Sequence, residues 1–137
     1  MDRRRFLTLT AGTAFALPLA AHATPLAYTP GLVTTHLDKG DTVFLDFKAS
    51  WCSTCAAQER VIKALKGENP DYEAQITFID VDWDEHSRSE LAKSLKIPRR
   101  STLVVLKGQA ELGRIVAQTS RASIKGLMDT ALTAAMT

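Results

Sequence analysis

The chain has 137 residues, of which 45% are hydrophobic and 23% charged. That length, less a leader of 23 residues, is expected to make one domain and not two, and the composition argues against disordered or low-complexity architecture. The formal charge of +2 is owed to the leading residues. With Asp2, Arg3, Arg4 and Arg5 set aside, acids and bases balance, so nucleic acid is not expected as a partner. The 2 cysteines close neither a four-thiolate zinc site nor a framework of several disulfides, so Cys52 and Cys55 act as a pair.

Residues 1–23 read as a cleaved signal peptide: a basic start, an apolar run from Leu7 to Ala21, and small residues at Ala21 and Ala23 that place cleavage before Thr24. Thr8, Thr10, Thr13 and Pro18 interrupt the run, which falls short of the roughly 20 apolar residues that span a bilayer. Arg3-Arg4-Arg5-Phe6-Leu7 resembles the twin-arginine export signal. The expected destination is the bacterial periplasm, where vicinal thiols oxidise unless something reduces them. Residues 24–137 are then the folded domain.

In chain order, Leu32, Val33, His36 and Leu37 predict a short lead-in helix, and the β-branched and aromatic run Thr42–Phe47 a buried strand broken only by Asp46. A helix is expected from Cys52 to Lys66, stopped by Gly67, and a second strand over Ile76–Val81. Leu91 and Leu95 mark a helix ending near Pro98. Thr102–Leu106 and Leu112–Ala117 form a hairpin about Lys107-Gly108-Gln109. A last helix puts Ile124, Leu127, Met128, Ala131, Leu132, Ala135 and Met136 on one stripe. The order β-α-β-α-β-β-α specifies an α/β fold.

At the end of the first strand stands Asp46-Phe47-x-Ala49-x-Trp51-Cys52-x-x-Cys55. With this motif the chain resembles the thioredoxin superfamily from about Thr42 to its end. The resemblance implies a thioredoxin-like fold, a central mixed sheet of about four strands flanked by helices. It implies a thiol:disulfide oxidoreductase that acts on protein thiols and disulfides with a membrane or periplasmic electron donor, as a monomer and with no cofactor beyond the redox-active cysteine pair.

Two thiols at a helix N-terminus suit exchange better than cross-linking. Cys52 is expected to face solvent beside unpaired backbone N–H groups, which lower its pKa and make it the nucleophile; Cys55, one turn in, resolves the mixed disulfide. Asp46 sits in an apolar strand, where its pKa should rise. The resemblance assigns it the movement of the Cys55 proton. Glu59 shares the helix face of Cys55, and with Asp46 it resembles the acid pair in the C-terminal domain of the bacterial transmembrane disulfide reductase; pairing with Lys63 at i+4 is the other reading. Lys48 follows on the strand face of Asp46.

The resemblance places Trp51, Arg100, Ser101 and Thr102 on the substrate side. The family carries a cis-proline where this chain has Ser101, and the Arg100–Ser101 peptide is expected to be trans. A serine there is expected to leave the sulfurs open, which admits a second function class, a metal or iron–sulfur module on the two thiolates. Proline at position 101 is expected to be compatible with disulfide reduction. Arg99 and Arg100 can stabilise a thiolate or select acidic partners, or simply be solvated.

Overall fold

The computed structural model describes Gly12 and residues 24–137. The signal peptide and its cleavage site lie, Gly12 apart, outside the described residues. No described helix is long and apolar enough to cross a membrane.

Eleven elements follow one another as β1 (Leu26–Ala27), α1 (Leu32–Asp38), β2 (Thr42–Lys48), α2 (Ser53–Glu68), α3 (Asp71–Gln75), β3 (Thr77–Asp82), α4 (Trp83–His86), α5 (Glu90–Ser94), β4 (Thr102–Lys107), β5 (Ala110–Val116) and α6 (Arg121–Ala135). They form one mixed sheet in the order β1-β3-β2-β4-β5, one strand more than the sequence suggests. The extra strand, β1, is two exposed residues on the sheet edge, paired in parallel with Ile79 and Asp80 of β3. So short and exposed a segment leaves no alternation to read.

Strand β2 is central, parallel to β3 and antiparallel to β4. Its alternation divides the core. Phe44 joins Ile62, Leu65, Leu103, Ile124 and Met128 beneath α2 and α6, whereas Val43, Leu45 and Phe47 join Val33, Ile79, Val81 and Ala92 on the opposite layer. Each such burial contributes roughly 1.5–3 kcal/mol. The same parity places Asp46 and Lys48 on the α2 face of the sheet.

Helix α2 does not stop at Gly67. It runs to Glu68 and ends at Asn69, whose backbone N–H bonds Leu65 O while its own backbone is extended, φ −134° and ψ 102°. Pro70 imposes that conformation on the residue before it, so proline rather than glycine ends the helix. Helices α3 and α4, 5 and 4 residues long, are too short to show a period. The β4–β5 turn needs Gly108 at φ 59°, the positive first position of a tight hairpin. The α6 stripe buries Ile124, Leu127, Met128 and Ala131, but Met136 lies past the helix end and is 65% exposed.

Candidate active site

The CxxC segment spans the junction of β2 and α2. Cys52 is the N-cap of α2, and its Sγ accepts the Cys55 N–H at 3.2 Å, a sulfur serving the orphan donors of a helix start. Contrary to the expectation of a solvent-facing nucleophile, Cys52 is 4% exposed and Cys55 1%. Ala49 and the half-buried Trp83 pack against them. Burial pushes the Cys52 thiol up, but hydrogen bonds from the Cys55 thiol, the Ser101 hydroxyl, the Cys55 backbone N–H and the Arg100 guanidinium outweigh it, and Cys52 titrates at about 7. Burial and the bond to Cys52 push Cys55 up.

Ser101 does not leave the sulfurs open. Its side chain is fully buried, with Oγ 3.2 Å from Cys52 Sγ and 3.1 Å from Cys55 Sγ. Its backbone is left-handed at φ 64°, which costs a non-glycine residue roughly 1–2 kcal/mol. Three hydrogen bonds offset that cost: Ser101 N–H donates to Phe47 O at 2.7 Å, and Ser101 O accepts from Ala117 N–H at 2.9 Å and from Gln58 Nε2 at 3.0 Å. No cis peptide occurs among the described residues, so the Arg100–Ser101 bond is trans as expected. Proline cannot take this local backbone, because its φ is locked near −65° and it lacks the N–H that Phe47 accepts, so it would have to rebuild the loop around position 101. Pro98 is exposed and three residues away. Thr102 is buried and donates its hydroxyl to Arg99 O at 2.7 Å, pinning the loop that delivers Ser101.

Asp46, within electrostatic reach of Cys52, is 6% exposed, and its Oδ1 is buried with no partner. Desolvation and the facing charge of Asp80 raise its carboxyl to about 7, against the lowering effect of Lys48. The register sets Asp46 directly opposite Asp80. Lys48 Nζ lies 3.1 Å from Glu59 and 3.6 Å from Asp80. Glu59 also meets Lys63 at 3.0 Å, so both readings of Glu59 hold at once. These bonds, from Lys63 foremost, keep the Glu59 carboxyl below the usual range; burial holds Asp80 above it. Asp46, Lys48, Glu59, Lys63 and Asp80 line a cavity of about 480 Å³ together with Lys66 and Phe78, Lys66 lying 3.8 Å over the Phe78 ring. Sequence reasoning passed over Asp80 and Gln58. For Asp80 a signal existed: like Asp46, it is an acid between apolar strand neighbours, Ile79 and Val81. Gln58 left none.

At the rim, Trp51 is 59% exposed. Its indole N–H donates to both Asp84 carboxylate oxygens at 3.1 and 3.0 Å, and the Arg100 guanidinium lies 4.4 Å over its ring. Asp82 caps α4 by accepting Asp84 N–H at 2.9 Å. Among the described residues no three His, Cys, Asp or Glu side chains are grouped to hold a metal.

The thioredoxin family model matches residues 32–130. Thioredoxin H2-1 of Oryza sativa subsp. japonica is 36% identical over 81 residues, which is 59% of this chain and 54% of that protein. The thioredoxin of Mycolicibacterium smegmatis is 26% identical over 91 residues, 66% of this chain and 79% of its own length. The chain spans about half the length of the two rice H2 thioredoxins it matches. Among solved structures, Trxlp from Edwardsiella tarda EIB202 superposes with a TM-score of 0.64 at 22% identity, covering 76% of this chain and 98% of that one. A thioredoxin mutant of Entamoeba histolytica does so with 0.62 at 23%, covering 78% and 99%. At these identities the superpositions establish the fold, and with the family match over residues 32–130 they show that the chain belongs to the thioredoxin family.

Proposed function

We infer that this chain is an exported thiol:disulfide oxidoreductase that reduces protein disulfides in the periplasm through a Cys52–Cys55 cycle, as a monomer and with no cofactor beyond that pair. The observation that carries the reading is Cys52 itself: a helix-capping sulfur bonded by Ser101 and by the Cys55 N–H and drawn down to about 7, with a resolving thiol one turn on. Location rests on the leader sequence, and direction on the acid pair Asp46 and Glu59, which resembles that of reducing relay domains.

In this mechanism the Cys52 thiolate attacks one sulfur of the partner's disulfide. The partner's S–S bond breaks, and its other sulfur leaves as a thiolate that takes a proton from solvent. Asp46, as carboxylate, accepts the proton of Cys55, whose sulfur then attacks Cys52 in the mixed disulfide and releases the second partner thiolate. Two electrons pass to the partner, and a periplasmic or membrane dithiol restores the pair by the reverse exchange. Glu59 and Asp80 hold Lys48 beside Asp46.

Equilibration of the pair against glutathione tests the direction. A potential near roughly −270 mV supports the reductase, and one near −120 mV makes the protein an oxidant. Cys55→Ser should accumulate mixed disulfides in periplasmic extract; absence of such adducts removes protein exchange as the function.

A further inference from the structure

Arg100 is the residue before Ser101, and its surroundings are incomplete. Its guanidinium stacks on an exposed indole, yet its Nε is buried without an acceptor and no carboxylate pairs with it among the described residues. The buried Nε is out of a partner's reach, so a docking carboxylate meets the terminal N–H groups of the guanidinium. Asp84, which meets the same indole, is occupied by the Trp51 N–H. Arg99 stands next to it with its own Nε donating to Arg100 O at 3.1 Å, so a second cation adds to the local field. A planar guanidinium presents paired N–H groups that match a carboxylate, and a Trp–Arg stack is the kind of rigid surface on which partners anchor. Cys52, only 4% exposed, is next in the chain to Trp51, so a partner that reaches the sulfur passes this rim.

We propose that the Arg100–Trp51 stack reads a carboxylate on the partner, so that the site favours protein disulfides with an Asp or Glu side chain beside the cysteine under attack. This deepens the oxidoreductase reading and rests on it. The partner's carboxylate supplies the counter-charge that no described acid gives Arg100, while the exposed Trp51 ring takes the adjoining apolar side chain. The preference belongs to the loop rather than to the cysteines, since Arg100 is held by a backbone that Thr102 and Ser101 pin.

The test uses the full chain in reduced form against two peptides that differ only in having Glu or Lys next to the disulfide cysteine, with the neutral 4,4′-dithiodipyridine as control. The ratio of kcat/KM for the two peptides is the readout, because any change in thiolate reactivity on altering Arg100 cancels between them. The wild type should favour the Glu peptide by about tenfold, the scale of one charge-assisted hydrogen bond. Arg100→Gln should bring the ratio close to one, and Arg100→Glu should invert it. A wild-type ratio near one, or a ratio that survives in Arg100→Gln, overturns the carboxylate reader while leaving the exchange function intact. Failure to react even with the neutral disulfide overturns the function and the inference together.

Discussion

Cys52 and Asp46 are both buried, 4% and 6% exposed, and both titrate at about 7, reached from opposite directions. Around the sulfur, neutral donors and one guanidinium converge on the site that carries negative charge. Around the carboxyl, burial and a facing Asp80 disfavour charge, and Lys48 only partly compensates. Burial alone therefore predicts neither value. What decides each is whether the surrounding groups solvate the charged form, which the sulfur pocket does and the cavity does not. The outcome is a nucleophile ionised near neutral pH and an acid able to hold or release a proton there, the condition for efficient proton transfer at working pH.

The largest effects are expected from removing the acid. Asp46→Asn should slow the resolving step about 100-fold, the scale of a lost general base, measured as persistence of the mixed disulfide in stopped flow. Its stability effect has a definite sign. Because the folded carboxyl titrates at about 7 and not near 3.8, the folded state keeps a proton that the unfolded chain has lost. Stability therefore falls as pH rises from about 4 to about 7 and is level above that. The asparagine variant lacks this slope. It should exceed the wild type by on the order of 3 kcal/mol at pH 8 in urea unfolding and match it at pH 3. Equal stabilities at pH 8 would show that the cavity solvates the carboxylate after all, and the contrast between the two regions would dissolve.

Substitutions at Ser101 probe the sulfur pocket. Ser101→Pro should destabilise by about 3 kcal/mol, from its fixed φ and the lost bond to Phe47 O; a thermal midpoint equal to wild type would contradict the left-handed backbone. Ser101→Ala keeps the backbone and removes the donor. The Cys52 thiol should then move from about 7 to about 8, followed by thiolate absorbance. No movement would assign the depression to the helix start and Arg100 alone.

Smaller effects sharpen the cavity side. Lys48→Met removes the foremost cation that lowers Asp46 and the partner of Glu59 and Asp80. The pH midpoint of the resolving step should shift upward by less than about one pH unit; a downward shift would mean that Lys48 does not act on Asp46. At the far side of the domain, Gly113→Ala places a Cβ 3.0 Å from Leu127 Cδ1, the end of a side chain that can give way. It should cost about 1 kcal/mol or less and leave both titrations untouched, which makes it the control for the series.

The sequence by itself determined the parts whose physics is local. The β2–Cys52–α2 unit is contiguous, so alternation, helical spacing and the CxxC interval were all present in the Asp46-to-Glu59 stretch, and the one buried acid of an apolar strand was conspicuous there. The α6 stripe was legible for the same reason, apart from Met136 beyond its end. Elements too short for a period, β1, α3 and α4, were not. What only the tertiary structure decided lies in contacts between residues far apart in the chain. Ser101 meets Cys52 and Cys55 across 49 and 46 positions through a positive φ that no serine announces, and it fills a position that the sequence suggested was open. Asp80 gains its effect on Asp46 from strand register, and Arg100 its stack on Trp51 from the loop that Thr102 pins. Residue type states which chemistry a side chain can perform, while its ionisation and its partners follow from packing, because the energy of a charge depends on everything that surrounds it.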